Sequence, residues 1–307
     1  MSNKIFSFEQ KYIEIENIHS LNDTISNFFH FMYGFVFPLI LFDDKFSLNN
    51  NVTYVIDNLL EPHTKILLSL PIKIKFKKYI ENYKQLNIKK ITLKPMDIGQ
   101  KPKYNNNYSL IKQGKADIMT CYKKNIICSW FSKKVNLNNM IFSAHDYLLN
   151  DINIIFITRG TDNSYSTLNW NNKKEFDRNK THGSQRRNIL NSDELFDEIK
   201  KYYKNRNIIS ISFESLQILY QYKLLSNCKL LIAQHGAALG NIAFMKKNKT
   251  VVEIIQQKYI DNYENWFLYY GKEYKLKYFQ FVVNEENDLF NINVNSFIDY
   301  LKTNRIK

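Results

Sequence analysis

The chain has 307 residues, of which 43 are Lys or Arg and 29 are Asp or Glu, so its formal net charge is +14 at pH 7. That length suits two modest domains, each with its own core. The charge indicates an anionic partner, which could be a nucleic acid, an acidic glycan, a nucleotide-sugar or a membrane surface. Because the lysines are dispersed among Asn, Ile and Tyr and no known nucleic-acid-binding signature is present, we interpret most of the charge as solvated surface.

The three cysteines, Cys121, Cys128 and Cys228, argue against a disulfide framework and for a reducing compartment. The N-terminal segment 1–16 is charged throughout and lacks the apolar region of a secretory signal. No apolar run approaches the ~20 residues needed to cross a bilayer. We therefore expect a cytoplasmic protein without a transmembrane segment.

In the first half of the chain, the spacing of apolar residues predicts an irregular α/β region. Strands are predicted at 5–15, 52–56 and 90–93, with a hairpin of two short strands at 116–122 and 125–130. Helices are predicted at 21–37, ending before Pro38, at the basic amphipathic segment 72–86, and at 140–149. The segment 101–107 is predicted to be a polar loop.

In the second half, predicted strands and helices alternate, which is typical of a doubly wound parallel sheet. The predicted strands cover 152–158, 208–213, 229–233, 250–255 and 275–283. One predicted helix is capped at Asn191 or Ser192, and others cover 215–227, 237–246, 263–270 and 294–302. The polar segment 161–185 is too long for an ordinary connection, and we interpret it as a lid or acceptor loop. The predicted domains are 1–150 and 151–307.

The most informative stretch is the apolar run 230–233, which breaks at His235 and Gly236 and then opens a helix at Ala237 and Ala238. Small residues at the start of a helix leave backbone N–H groups accessible, and these groups together with the helix dipole bind anions. His235 adds a donor, so phosphate or diphosphate is the expected ligand. A glycine after a strand is common in any doubly wound domain, so this pattern alone also fits a purely structural turn.

Four groups of residues resemble signature blocks of glycosyltransferase family 61; one of them, 115–128, is interpreted as structural, and the other three carry candidate site residues. The first runs from His235 through Asn241 to Phe244 and Met245 and continues with the strand that carries Glu253. The second is Asn27-Phe-Phe-His30, leading into a helix and an apolar-Pro-apolar run, and the third combines Arg159 with the block 187–195. The resemblance implies an inverting enzyme of the GT-B type, an α/β protein with two Rossmann-like domains that face each other across a cleft.

The resemblance also implies roles for individual residues. His30 is the candidate general base, although family members often carry an acidic residue soon after this His, where the present chain has Met32, Tyr33 and Gly34. That difference leaves the identity of the base open, and a histidine packed among aromatic residues is the alternative for His30. The donor diphosphate or nucleotide is assigned to Arg159, Arg187, His235, Gly236, Ala237, Ala238, Asn241 and Glu253, with Asn27, Asn191 and Glu194 in support.

The third block departs from the family pattern, since Ser192 replaces its first acidic residue and the gap between Arg159 and Arg187 is long. For either arginine the alternative is a surface salt bridge, which contributes little to stability. No Asp-x-Asp pattern is present, His and Cys lack zinc-type spacing, and the pair Asp43-Asp44 is predicted to be solvated in a loop. We therefore expect transfer without a metal or other cofactor, because arginines, His235 and helix amides can neutralise the diphosphate.

The sequence thus predicts an enzyme, a glycosyltransferase that moves a hexose or pentose from a nucleotide-sugar, most naturally a UDP-sugar, to a hydroxyl of a glycan or protein-linked acceptor. The sugar and the acceptor are not readable from one sequence. Two other classes remain open: a non-catalytic nucleotide-binding protein that kept the helix-start cradle, and a basic nucleic-acid-binding protein.

Overall fold

The computed structural model describes most of both halves of the chain. The described residues are 12–17, 28–46, 52–56, 61–81, 83–85, 88–93, 119–137, 151–159, 188–213, 216–261, 266–287 and 289–307. The predicted polar loop 101–107, the helix 140–149 and the long segment 161–185 lie outside these residues.

The first half of the chain contributes a four-stranded parallel sheet. Its strands are β1 (Tyr12–Asn17), β2 (Thr53–Ile56), β3 (Ile74–Phe76) and β4 (Lys89–Leu93), in the order β3-β2-β1-β4. The predicted strands at 52–56 and 90–93 are confirmed, and the described part of the first strand lies at the C-terminal end of the predicted segment. Helix α3 (Glu61–Leu68) and two 3-10 turns, Lys77–Tyr79 and Tyr83–Gln85, connect the strands.

The aromatic-rich segment forms a helix that continues past Pro38, whereas the sequence predicted its end there. It consists of α1 (Phe28–Phe31), a wider π-helical turn (Met32–Val36) and α2 (Phe37–Phe46). The backbone N–H of Phe37 donates to the carbonyl oxygen of Met32, a bond between residues i and i−5. The wider turn lies directly before Pro38, which has no N–H to donate, and π-bulges of this kind often accompany such interruptions.

Two predicted elements of the first half are wrong. The segment 72–86 is not a helix, since Ile74–Phe76 pairs with β2 as a strand; the alternation Ile-Lys-Ile-Lys-Phe has the period of a strand and was the usable signal. The predicted hairpin at 116–130 is wrong for its described part, 119–130, because Cys121–Leu137 is a single helix, α4. Its buried residues Lys124, Ile127 and Phe131 are spaced three and four apart, as on one face of a helix.

The second half forms a five-stranded parallel sheet with helices on both faces, as the alternation predicted. The strands are β5 (Ile154–Ile157), β7 (Ile208–Ile211), β8 (Leu230–Gln234), β9 (Thr250–Gln256) and β10 (Lys277–Val283), in the order β10-β9-β8-β5-β7. The helices are α5 (Ser192–Tyr202), α6 (Ile218–Asn227), α7 (Gln257–Asp261), α8 (Trp266–Glu273) and α9 (Val294–Thr303). A short parallel pair, β6 (Asn188–Ile189) with β11 (Leu289–Phe290), completes the described part.

The two faces of the second sheet belong to different hydrophobic clusters. Leu230, Ile232 and Val252 pack with residues of α5 and α9 on one face. Leu231 and Val251, which point to the other face, share a cluster with the first sheet and with the helices at 28–46 and 121–137. The two halves of the chain are therefore in contact through packed side chains, and parallel α/β architecture is confirmed. The arrangement as two domains across a cleft, divided near residue 150, stays a prediction.

Asp43 is part of this packing and is not in a solvated loop. It lies in α2 with 2% of its surface exposed, and its carboxylate accepts hydrogen bonds from the Tyr54 hydroxyl at 2.8 Å and from Trp130 Nε1 at 2.7 Å. The Asp43 carboxylate holds the pKa of the Tyr54 phenol above its ordinary value, in addition to the larger effect of burial. Because a buried carboxylate needs such partners, Asp43 ties α2 to β2 and α4.

Candidate functional site

The turn between β8 and the following helix has the predicted order of strand, turn and helix. β8 ends at Gln234, His235 and Gly236 form the turn, and the helix covers Ala237–Phe244. This helix is of the 3-10 type, whereas the sequence predicted an ordinary helix to residue 246; its first bond joins Leu239 N–H to the Gly236 carbonyl oxygen. The first N–H groups of this helix lack internal acceptors, and Ala237 and Ala238 are half-buried at the carboxyl end of the sheet.

His235 and Glu253 form a buried pair beside this turn. His235 Nδ1 lies 2.6 Å from Glu253 Oε1, and the two side chains are 4% and 1% exposed. Since a carboxylate can only accept, Nδ1–H is the donor, and Nε2 is directed to the opposite side of the ring. The ring also stacks on Tyr259, with centroids 5.3 Å apart, so its orientation is determined on two sides.

The second oxygen of Glu253 is also used. Gln280 Nε2 donates to Glu253 Oε2 at 2.8 Å, and the two residues are register partners on β10 and β9. Burial, together with the neighbouring Glu253 carboxylate, holds the pKa of the Tyr278 phenol well above its ordinary value. Glu253 is therefore embedded in the sheet, with one oxygen on His235 and the other on Gln280. Its assignment to the donor site stays a prediction.

Arg159 lies over Gly236. It follows β5, the neighbour of β8, and its Nη2 donates to the His235 carbonyl oxygen at 3.3 Å. A Cβ atom at Gly236 would lie 2.6 Å from that nitrogen, so only glycine allows the guanidinium to take this position. The backbone of Gly236 is extended, with φ 162°, so the requirement is for space. Arg159, His235 and the helix start thus form one cationic corner at the carboxyl ends of the parallel strands, where ligands of such sheets bind.

The helix that carries His30 packs beside this corner. Phe29, the preceding residue, is 6% exposed and contacts the ring of Phe267 edge-on, with centroids 5.3 Å apart. Phe267 in turn contacts the His235 ring, with centroids 5.6 Å apart. On the same helical segment, the Tyr33 hydroxyl donates to the Gly240 carbonyl oxygen at 2.9 Å. The structure therefore brings the second and first signature blocks together, through α1 and the 3-10 helix.

The remaining predicted site residues have other surroundings. Asn241 is fully buried, and its Nδ2 donates to Gln221 Oε1 at 2.8 Å, so it joins the 3-10 helix to α6. Asn191 precedes α5 and exchanges two hydrogen bonds with the backbone of Ile292, while the exposed Glu194 accepts from Asn191. The predicted N-cap bond of Asn191 is absent among the described contacts. Ala237 and Ala238 are half-buried at the helix start.

Three predicted residues lie wholly or partly outside the described part of the chain. Asn27 and Arg187 are outside it altogether, and for His30 only the backbone, in α1, is described. Their roles stay predictions from the family resemblance.

Sequence reasoning missed Gln280, Phe29, Tyr259 and Phe267, which surround or support the corner. Gln280 carried a usable signal, since it is a polar residue within the strand 277–283, which is otherwise aromatic or β-branched after its first residue. The aromatic residues carried none, because their contacts with His235 and with one another depend on tertiary packing.

Among the described residues, no group of three His, Cys, Asp or Glu side chains is arranged to hold a metal ion. A search of the helices in the described part of the chain found none that could span a membrane.

Comparison with known families places this arrangement in context. The family model described as glycosyltransferase 61 matches residues 28–252, which include α1, both sheets in part, the corner at His235 and the first three residues of β9. No curated protein sequence matches the chain at a significant level.

Proposed function

Because the chain belongs to glycosyltransferase family 61, we propose that it is an inverting, metal-independent glycosyltransferase that moves a hexose or pentose from a UDP-sugar to a hydroxyl group. The acceptor in this proposal is a glycan or a protein-linked sugar, and the site of action is the cytoplasm. Family membership supports glycosyl transfer in general. The observation that carries the finer proposal is the meeting of Arg159, His235 and Gly236 at the carboxyl edge of the second sheet, beside the helix of His30.

The proposed donor site neutralises the diphosphate that leaves when the glycosidic bond breaks. Arg159 offers a planar set of N–H donors that binds phosphate oxygens in pairs. His235, oriented by Glu253 through the 2.6 Å contact at Nδ1, donates from Nε2 in this proposal, which requires the ring to carry both protons because Nδ1–H is directed at Glu253. Backbone N–H groups at Ala237 and Ala238 complete the cradle. Such prearranged donors stabilise developing negative charge without reorganisation, which is the task that a divalent metal performs in other transferases.

The proposed reaction is a single displacement. The acceptor hydroxyl oxygen attacks the anomeric carbon from the face opposite the diphosphate, the bond to the diphosphate breaks, and the hydroxyl proton passes to His30. A histidine suits this role because its ordinary pKa near 6.5 lies close to neutral pH. Packing of the helical segment 28–46 against the 3-10 helix, through Phe29 and Tyr33, supports a base on this segment acting close to the donor.

Donor binding is tested by thermal denaturation with nucleoside diphosphates and their sugar conjugates, since a ligand of the folded state raises its apparent stability. We expect uridine diphosphate to stabilise the protein equally with and without a chelator. Arg159→Ala and His235→Ala should each weaken binding by about 10- to 100-fold, because each removes charge-assisted hydrogen bonds. Arg206→Ala, at an exposed arginine after α5, is the matched control and should bind normally.

Turnover separates the enzyme from the two other classes. With a panel of donors and acceptors, His30→Ala should lower kcat by about 10²- to 10⁴-fold and leave donor binding intact. Donor binding without turnover across the panel would favour a non-catalytic nucleotide-binding protein. A lack of nucleotide binding, together with DNA or RNA affinity that falls steeply with salt, would favour a nucleic-acid-binding protein.

A further inference from the structure

Two buried glutamine side chains at the carboxyl edge of the second sheet have amide atoms without partners. Gln234 is the last residue of β8 and Gln256 the last of β9; they are 8% and 2% exposed. Among the described residues, no hydrogen-bond partner exists for Gln234 Nε2 or for Gln256 Oε1. A buried amide atom without a partner costs roughly 1–3 kcal/mol, so such atoms are rare and call for an explanation.

The orientation of Gln256 is determined by its other amide atom. Its Nε2 donates to the carbonyl oxygens of Glu285 at 2.7 Å and Asn287 at 2.8 Å, in the segment after β10. The amide nitrogen must face these two acceptors, so Oε1 points away from them. Gln256 therefore presents an acceptor, and Gln234 presents a donor.

The two side chains project from the same face of the sheet. Gln234 is the register partner of Ile254, two residues before Gln256 on β9, and side chains two apart share a face. With strands about 4.8 Å apart and a rise of about 3.3 Å per residue, the two Cα atoms are roughly 8 Å apart. Both unpartnered atoms have essentially no accessible surface, so a planar group that bonds to both enters by separating the side chains packed around them.

This face is opposite to that of Glu253. Gln234 immediately precedes His235, so the two amides are adjacent in the chain to the cationic corner. A nucleoside diphosphate with its phosphates at Arg159 and Gly236 would reach the pair by crossing the carboxyl edge of the sheet with its ribose. This is the edge at which doubly wound sheets bind nucleotides.

We propose that Gln234 Nε2 and Gln256 Oε1 bind the hydrogen-bonding edge of the donor's nucleobase. Each nucleobase carries a donor and an acceptor side by side on that edge, and proteins that bind single bases use it for recognition. The inference rests on the proposed function, because it assumes that the corner holds the diphosphate. It adds the subsite that distinguishes a nucleotide from any other diphosphate.

The test measures dissociation constants by titration calorimetry for inorganic pyrophosphate and for the diphosphates of uridine, guanosine, adenosine and cytidine. The native protein should bind at least one nucleoside diphosphate more tightly than pyrophosphate. Gln234→Met, of nearly the same shape, should weaken that nucleoside diphosphate about 10-fold and leave pyrophosphate unchanged, since one hydrogen bond is lost. Its melting temperature should be unchanged or higher, because an unsatisfied buried donor is removed.

Gln221→Met is the matched control. Its amide is also buried but is fully used, with Nε2 donating to the Phe213 and Leu216 carbonyl oxygens and Oε1 accepting from Asn241. This variant should lose stability and keep the native ratio of nucleoside diphosphate affinity to pyrophosphate affinity. Gln234→Asn withdraws the amide by one methylene and serves as the second variant if Gln234→Met folds poorly. The same ratio of nucleoside diphosphate affinity to pyrophosphate affinity is measured for it.

The possible failures are distinguishable. An unchanged ratio in both Gln234 variants would overturn the base subsite while leaving the diphosphate site standing, and would assign the amides to buried water. If the native protein binds pyrophosphate and all four nucleoside diphosphates equally, the base subsite is likewise overturned and the diphosphate site stands. A native protein that binds none of them would overturn the proposed function, and the base subsite with it.

Discussion

The Tyr33 hydroxyl donates a hydrogen bond of 2.9 Å to the Gly240 carbonyl oxygen and thereby joins two residues that are 207 positions apart. A Cβ atom at Gly240 would lie 3.0 Å from the Phe29 ring, so the absent side chain is what lets the two helical segments approach. The Tyr274 hydroxyl donates to the Tyr33 oxygen at 3.1 Å. This buried chain of hydroxyl groups holds the helix of His30 against the helix that follows the cationic corner.

Removal of the Tyr33 hydroxyl should weaken this connection. In Tyr33→Phe the Gly240 carbonyl and the Tyr274 hydroxyl lose their partner in a buried environment, and we expect the free energy of unfolding to fall by about 1–3 kcal/mol. Chemical denaturation measures the change. Tyr269→Phe, at a residue that is 45% exposed on α8, should have little effect, and equal losses in both variants would contradict this explanation.

Addition of one methyl group at Gly236 should displace the Arg159 guanidinium. The backbone there is extended and tolerates alanine, and the atom it would meet is the end of a flexible side chain. We therefore expect Gly236→Ala to fold with a stability change below about 1 kcal/mol and to bind uridine diphosphate about 10-fold more weakly.

A double-mutant cycle checks the cause of that loss. In an Arg159→Ala background, Gly236→Ala should have little further effect on uridine diphosphate affinity, because the displaced group is already gone. Additive losses would show that the methyl group acts on the ligand itself.

Neutralisation of Glu253 should loosen His235. In Glu253→Gln the amide oxygen can still accept from Gln280 Nε2–H, but the NH₂ group that faces His235 Nδ1 can only donate. The ring can accept this bond if its proton moves to Nε2, so we expect a stability loss below about 1 kcal/mol. Nucleotide binding should weaken, because the carboxylate that supports a doubly protonated ring is gone. Glu198→Gln on α5, at an exposed pair with Lys201, is the control. Native nucleotide affinity in Glu253→Gln would refute the positioning role of this carboxylate.

Asp43 should contribute to stability and not to catalysis. Asp43→Asn replaces one of two accepting oxygens by a donor, so either the Tyr54 hydroxyl or Trp130 Nε1 loses its acceptor. We expect the free energy of unfolding to fall by about 2–3 kcal/mol. Asp44→Asn removes a half-exposed charge 3.9 Å from Lys133 and should cost less than about 1 kcal/mol. A similar loss at both positions would refute the buried network.

Glu14 should make the protein acid-sensitive. Burial alone raises the pKa of this carboxyl, but hydrogen bonds from Tyr83 and Lys77 and the charges of Lys77 and Lys90 outweigh burial and hold the pKa below its ordinary value of 4.5. A carboxyl whose pKa is lower in the folded state binds fewer protons there than in the unfolded state. Its contribution to stability is therefore complete above pH 4.5 and is lost as the pH falls through the folded value.

Denaturation of the native protein and of Glu14→Gln across pH checks this prediction. The native protein should be the more stable of the two at neutral pH, and the difference should shrink as the pH falls below about 4.5. A difference that does not change with pH would mean that the charge of Glu14 has no part in it.

Much of the second half was predictable because its signals are local. The predicted strands of the second half, which are β5, β7, β8, β9 and β10, are short and mostly apolar. The break at His235 and Gly236 marks the turn before a helix. Alternation of such elements leads to a parallel sheet regardless of distant contacts. In the first half the same local approach failed at 72–86, where the alternation Ile-Lys-Ile-Lys-Phe was the strand signal, and at 116–130, where residues spaced three and four apart were the helix signal.

The sequence by itself determined the parallel α/β architecture of the second half, the strand, turn and helix at Gly236, and the resemblance to a glycosyltransferase family, since all of these depend on residues close together in the chain. Only the tertiary structure decided that α4 is a helix, that Asp43 is buried, and that Arg159 lies over Gly236 while Gln280 supports Glu253. The physical reason is that strand register and side-chain packing join residues far apart in the chain, so no local pattern specifies them.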